Sequence, residues 1–387
     1  MKNGWPSTHL GDLCDVLDYK RKPITKRDRV AGHFPYYGAT GVLDKVADYL
    51  FDEKLVLVGE DGAKWASGEN TAFAVEGKCW VNNHAHVLRP HRDRVLDNWL
   101  IYFLNHSDLS ESVSGLTVPK LNQGNLRDIP IPVPPLTEQR RIVGILDDAF
   151  QGIATAKANA EKNRRNARAL FESYLQSVVT QRGERWVEKP ISELCDIKHG
   201  FAFKSEFFTP EGDYVLLTPG NFYESGGYRD RGEKQKYYTG EIPRDYVLSE
   251  GDLLVAMTEQ AAGLLGSTIL IPESGRFLHN QRLALITKKA GVPWTNEFFF
   301  HLFNTQAVRK EIHDGASGVK VRHTSPTKIG EVVVAFPTLL SEQKQIVATL
   351  DALTEDTQRL ESIYRQKLAA LEALKKSLLH QAFAGQL

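Results

Sequence analysis

The chain repeats itself with an offset that changes along its length. Trp5, Leu13, Cys14 and Asp15 are matched by Trp186, Leu194, Cys195 and Asp196 at a constant offset of 181. Further on, Thr137 to Asp147 (TEQRRIVGILD) is matched by Ser341 to Asp351 (SEQKQIVATLD) at an offset of 204. An offset that grows between two kept edges means that the second copy carries extra residues inside its globular part. A common frame therefore surrounds divergent contents. At 387 residues the chain has room for two cores, so two related but unequal units are expected.

The pattern inside the frame reads as mixed α/β (α+β). Short β-like runs, KLVLVG (Lys54 to Gly59) and HAHVLRP (His84 to Pro90), precede an amphipathic helix near DNWLIYFLN (Asp97 to Asn105). The second copy repeats this grammar in GDLLVAMT (Gly251 to Thr258), LHNQRLALI (Leu278 to Ile286) and NEFFFHLFN (Asn296 to Asn304), which places Asn280 in register with Asn83 and sets Gln281 and Leu283 where the first copy has His84 and His86. Prolines in IPIPVPPL (Ile129 to Leu136) enforce an extended segment and postpone a helix until Thr137, an acceptable N-cap.

After that point a seven-residue beat runs through Ile142, Ala149 and Ala156, and through Leu146, Ile153, Ala160, Ala167 and Tyr174, with Leu170 rejoining the first line. Its counterpart carries Ile346, Leu350, Leu353, Leu360, Tyr364, Leu371, Leu374 and Leu378. Asn163 and Lys367 interrupt the two seams at equivalent places, where a buried polar residue fixes register or a lysine simply snorkels out. The expected organisation is a first head at 1–136, a long helix at 137–182, a second head at 183–340 and a second long helix at 341–387. The two helices, each about 65 Å at ~1.5 Å per residue, are expected to pair as an antiparallel coiled coil.

Charge is balanced, 48 basic against 48 acidic residues, so binding to a polyanion must come from local patches. Three cysteines make neither a disulfide framework nor a zinc site. No apolar run reaches the ~20 residues of a membrane span and the N-terminus lacks a signal-peptide stretch, so no membrane partner and a cytoplasmic location are expected. Enzyme signatures are missing too: there is no glycine-rich dinucleotide fingerprint, no phosphate loop and no Asn-Pro-Pro-aromatic methyltransferase motif. Asp61 with Glu76 and Lys78 mimics a metal-nuclease triplet, but that spacing is too permissive to carry weight. His84 and His86 alternate as metal ligands could, without an acidic or thiol cluster in the sequence beside them. No catalytic residue, cofactor site or metal site is assigned.

Five stretches together resemble the specificity subunit of type I restriction-modification enzymes over the whole chain. They are IPIPVPPLTEQRRIVGILD, its fainter second copy VVVAFPTLLSEQKQIVATLD, the pair SGLTVPKLN (Ser114 to Asn122) and SGVKVRHTS (Ser317 to Ser325), and the C-terminal LKKSLLHQAFAGQL. The second copy departs at Thr338 and Leu339, where the first has Pro134 and Pro135. The resemblance implies two target recognition domains, each reading half of a split sequence in double-stranded DNA, on helices that space them and dock two DNA adenine methyltransferase subunits and the restriction/translocase subunits. S-adenosylmethionine, ATP and Mg then belong to those partners. Two unlike heads on a ruler suit two short sequences spaced by the ~34 Å helical repeat of DNA. The alternatives are a coiled-coil scaffold with protein-binding heads and the recognition part of a single-chain restriction-methylation enzyme.

Candidate DNA contacts in the first head are Lys20, Arg21, Lys22, Lys26 and Arg27 in a basic stretch, with Tyr36, Tyr37 and Thr40 in YYGATG. Lys120 and Asn122, with Lys320 and Arg322 in the corresponding stretch of the second copy, approach the long helices. The second head offers Lys198, Phe203, Lys204, Tyr223, Tyr228 and Arg229 in stretches that interleave aromatic, basic and glycine residues. Arg164, Arg165 and Arg168 on the first helix are candidates for holding the methyltransferases.

Overall fold

A computed structural model describes residues 4–115, 117–180, 182–259, 263–318 and 320–387. The chain divides into two compact units, Met1–Lys162 with Tyr364–Leu387, and Asn163–Ile363. Each unit owns one head and a length of both long helices.

The heads share a sheet plan. In the first, four antiparallel strands lie in the order Cys14–Val16, Ala85–Pro90, Leu55–Gly59, Ala72–Val75. In the second the order is Cys195–His199, Leu283–Lys288, Leu253–Ala256, Thr268–Leu270. The apolar runs LVLVG and LLVA are buried at every position, as their unbroken hydrophobicity requires. A second sheet in each unit contains one parallel pair, Ala31–Gly38 with Lys78–Val81 and Val215–Leu216 with Phe277–Leu278. A two-stranded ribbon joins the entry of each head to its exit: Ser7–His9 pairs with Pro130–Pro132, and Trp186–Pro190 with Val333–Pro337. Such a ribbon needs both edges of the copy at once, which is why the edges are where the repeat is legible.

The amphipathic helices form as read, at Asp97–His106 and Asn296–Phe303. Each is fastened to the edge of the four-stranded sheet by an asparagine. Asn105 accepts from the Ala72 amide at 2.7 Å and donates to its carbonyl at 2.9 Å, and Asn304 donates to the Thr268 hydroxyl at 2.6 Å.

The long helices span Leu136–Thr180 and Leu340–Phe383. The first begins one residue earlier than the sequence suggests. The Pro135 carbonyl accepts from the amides of Glu138 (2.9 Å) and Gln139 (3.0 Å), so Thr137 lies inside the first turn and is not the cap. Gln139 is fully buried and clamps three backbone groups: its Oε1 accepts from Leu96 N at 3.0 Å, and its Nε2 donates to Arg94 O and Pro134 O, both at 2.9 Å. Gln343 repeats this with Thr295 N, Pro293 O and Pro337 O at 3.0, 2.8 and 2.9 Å. The repeated Glu-Gln pair is thus the joint that seats each head on its helix.

In the first unit the helices run antiparallel: Ile142 and Leu146 share a core with Leu379 and Ala382, the Lys375 ammonium lies 5.3 Å from the Phe150 ring, and Lys157 pairs with Glu372. In the second unit Tyr174 and Val178 line one crevice with Glu342 and Ile346. The seam is thinner than its heptads imply. Asn163 and Lys367 are exposed, so neither is a buried register-setting residue. Leu170, Leu360 and Leu374 are 66%, 37% and 48% exposed, because the alanine-rich middle turns supply few large knobs.

Candidate nucleic-acid interface

In each head one end of the four-stranded sheet gathers loops from distant parts of the chain. In the first head it is the exit of Leu55–Gly59. Glu60 N donates to His84 O (2.9 Å), Leu121 N to Glu60 O (2.8 Å), Asn82 N to Tyr37 O (3.1 Å) and Lys22 N to Val81 O (3.2 Å). These bonds draw Lys20–Lys22, Tyr37–Thr40, Asn82–His84 and Lys120–Asn122 onto one rim. Lys20, Lys22 and Thr40 are exposed there, and Tyr37 is half-buried against Phe73. Lys26 and Arg27 are exposed on the short turn Lys26–Asp28, with Arg27 paired to Asp28 at 3.4 Å. Tyr36 is a core residue instead, 1% exposed, its hydroxyl accepting from Ile24 N at 2.9 Å. Strand alternation turns it inward while Tyr37 faces the other way. Asn122 caps the helix Gln123–Arg127, accepting from Asn125 N at 2.8 Å, and Ser325 does the same for Pro326–Glu331.

Below this rim lies a cluster of opposed charges. Arg21 bridges Asp18 (3.2 Å) and Glu60 and donates to Ala85 O at 2.9 Å, while Lys120 Nζ is 2.7 Å from Glu60. Arg21 is therefore committed to buried carboxylates, whereas the Lys120 side chain keeps 44% of its surface exposed. Burial alone would raise the Asp18 carboxyl, but the His86 hydrogen bond and charge, the Val87 amide and Arg21 together hold it below its ordinary range. The bond to Glu60 raises Lys120 against the pull of burial.

Asp18, Glu60 and His86 stand close enough to share a cation. The hydrogen bonding speaks for another use. His86 Nδ1 faces Asp18 Oδ2 at 2.6 Å and Nε2 faces Leu121 O at 2.7 Å. Both ring nitrogens are thus already turned to oxygens of the protein itself, Asp18 and Leu121, and neither points at open space where a metal would sit. His84, exposed at the rim, pairs with Asp61. The Asp61, Glu76 and Lys78 triplet is not assembled: Asp61 follows the exit of Leu55–Gly59, whereas Glu76 follows Val75, which pairs with Leu55 at the opposite end of the strand.

The second head fills the same sheet end differently. Met257 takes the place of Glu60, donating to Arg282 O and accepting from Thr324 N, both at 2.9 Å. Lys204 and Lys320 are exposed, and Arg322 is half-buried against His313. Tyr223 and Arg229 are exposed on a hairpin, the guanidinium 5.9 Å from the ring centroid. Gly227 N ties that hairpin to Thr268 O at 2.9 Å, at the same end of the sheet. Tyr228 is half-buried against Phe277. Lys198 is occupied, donating to Asp245 O at 2.8 Å with its ammonium 4.3 Å from the Tyr246 ring centroid. Phe203 is core, 5% exposed and 4.8 Å from the Tyr238 ring centroid.

The structure moves the repeat register by one residue at the turn before the last sheet strand. Asn82, not Asn83, is the counterpart of Asn280. Both are buried and both accept from the amide two residues on, His84 N at 2.8 Å and Arg282 N at 3.1 Å. Arg282 and Ala284, and not Gln281 and Leu283, therefore stand where the first head has His84 and His86. The Ser-Gly pairs of the two approach segments are also turn devices. Gly115 and Gly318 adopt φ of +96° and +97°, and a Cβ there would meet the carbonyl of Val118 at 2.5 Å or of Val321 at 2.1 Å.

A duplicated mixed α/β head that carries unlike side chains on one conserved rim, seated on paired helices by a buried glutamine, defines a recognition protein of the two-headed kind. Residues 2–163 and 183–372 match the type I restriction modification DNA specificity domain, and the chain belongs to that family. Relatives include the type I restriction enzyme MjaVIII specificity subunit of Methanocaldococcus jannaschii, 21% identical over 99% of this chain and 93% of that one. The EcoDI specificity subunit of Escherichia coli is 38% identical over 46% of this chain and 37% of its own length. Among solved structures, the HsdS subunit from Thermoanaerobacter tengcongensis is 18% identical, with a TM-score of 0.56 over 100% of this chain and 98% of that one. A chain from work on assembly and conformational transition of the type I R-M system is also 18% identical, with a TM-score of 0.73 over 100% and 99%. These likenesses show the fold.

Proposed function

We propose that this chain gives a type I restriction-modification complex its DNA sequence specificity, each head reading one half of a split target in double-stranded DNA. The observation that carries this reading is the rim. One backbone scaffold appears in both heads, yet Glu60, His84 and Leu121 are replaced by Met257, Arg282 and Thr324. A frame held constant around changed side chains is what two unlike half-sites demand.

The chain itself neither cuts nor methylates. Two DNA adenine methyltransferase subunits dock on the long helices, where Arg164, Arg165 and Arg168 and the apolar side chains of Leu170, Leu360 and Ile363 are exposed in the second unit. Restriction/translocase subunits complete the assembly, and S-adenosylmethionine, ATP and Mg serve those partners. Among the described residues no helix is long and apolar enough to cross a membrane, and the cytoplasm, where the DNA is, is the working compartment. Within the rims, Lys20, Lys22, Lys26, Arg27, Lys120, Lys204, Arg229 and Lys320 serve phosphates, and Tyr37, Thr40 and Tyr223 face bases. Balanced overall charge makes binding by the isolated chain weak, and the phosphate contacts of these cations make it salt-dependent.

The test is a genome-wide map of methylated adenines in a methylation-free host carrying this chain and its methyltransferase, against the methyltransferase alone. A split, asymmetric motif that needs this chain is expected, and exchange of residues 1–136 for those of a relative changes one half only. A stable complex that adds no methylation overturns the reading.

A further inference from the structure

The turn that enters the last strand of the four-stranded sheet is held in the same way in both rims. A buried asparagine, Asn82 or Asn280, caps it from within, and the backbone of Glu60 or Met257 holds the carbonyl two residues on. Each asparagine fixes the turn so that the next residue stands at its tip. That residue carries a carboxamide in both heads: Asn83 in the first and Gln281 in the second.

The tips differ in exposure and in what their carboxamides meet. Asn83 is exposed, and its backbone carbonyl receives Arg21 at 3.4 Å, which steadies the tip without using the side chain. Gln281 is anchored by its amide to Phe201 O at 2.9 Å. Its Oε1 is shielded from solvent and has no hydrogen-bond partner among the described residues, and neither has the hydroxyl of Thr324. Both residues are tied to one strand end, because Met257 bonds Arg282 on one side and Thr324 on the other. An acceptor removed from water and left without a donor is costly, so the half-buried Gln281 side chain gains by turning outward to a ligand that supplies the donor.

We infer that Asn83 and Gln281 are base-reading side chains, each taking the major-groove edge of an adenine in its own half-site. A carboxamide is matched to that edge: its oxygen accepts from N6–H and its nitrogen donates to N7. Thr324 adds a second polar contact in the second head, where the first head has Leu121. The inference rests on the DNA-reading function proposed above and names the residues through which that reading acts.

The experiment is the methylation map of the complete complex with Asn83→Ala, Gln281→Ala and Gln281→Glu, with assembly checked by gel filtration. Asn83→Ala relaxes discrimination at one A·T position of one half-site by roughly tenfold or more, and Gln281→Ala does so in the other half. Gln281→Glu, which can only accept, moves the preference at that position toward cytosine, whose N4 donates. Because Asn83 is exposed, its truncation leaves the fold intact even if changes at Gln281 do not. A motif unchanged at every position in Asn83→Ala and Gln281→Ala overturns the inference, as does a uniform loss of methylation without any change of base. Absence of a split motif with the unaltered chain is a separate result and defeats the proposed function instead.

Discussion

Gln139 offers a direct test of how the heads are seated. Replacing it with alanine removes one acceptor and two donors from a site with no solvent exposure, and strands Leu96 N, Arg94 O and Pro134 O. Each orphaned buried group costs ~1–3 kcal/mol, and partial relaxation toward water recovers some of it, so a loss of about 3–5 kcal/mol in the first unit is expected. Gln139→Met separates the causes. It refills the volume but leaves the same three groups unpaired, so it should lose nearly as much as Gln139→Ala. Hydrogen exchange followed by mass spectrometry is the assay, because a two-unit chain need not unfold in one step. The segment around Leu96 should exchange faster by two or more orders of magnitude in both variants, while the second unit stays protected. If Gln139→Met matches the parent, packing and not the clamp holds the head, and the reasoning is refuted.

Three further outcomes follow from buried groups. Burial pushes His279 down to about 4, while the unfolded chain takes up the same proton near ~6.5. The second unit therefore loses stability as pH falls from ~6.5 toward 4, by about 3 kcal/mol in all, with no effect above that window. Denaturant titrations of His279→Phe should lack that slope. Burial raises the thiols of Cys14 and Cys195 to about 12 and that of Cys79 to about 11, so a thiol reagent at pH 8 should label none in the native chain and all three after denaturation. Arg21→Ala leaves Asp18 and Glu60 short of a counter-ion and should lower the stability of the first unit by ~3 kcal/mol in a melting experiment. An unchanged melt would mean that Lys120 and His86 suffice.

The fold was legible where local chemistry and the repeat agreed. LVLVG and LLVA had to be buried strands, the proline run had to end extended, and the two copies of the Glu-Gln segment marked both helices. Legibility failed where a side chain's partner comes from far along the chain. Arg21 reads as one more cation in a basic stretch, yet Glu60 and Asp18 claim it, and neither sequence distance nor composition signals that pairing. Tyr36 and Phe203 sit in aromatic, glycine-containing stretches typical of surface loops, but the direction of each ring was decided by strand geometry and core space. Asn122 looked like a base contact and is a helix cap, a role that its position three residues before Asn125 does allow one to foresee. Asn83 and Gln281 correspond only in three dimensions, because residue identity pairs the capping asparagine of one head, Asn280, with the tip of the other, Asn83. Hydrogen bonds set the register where residue identity misled. The frame is therefore readable from sequence because its interactions recur at fixed offsets. The rim is not, because it is assembled from loops whose contents differ between the heads.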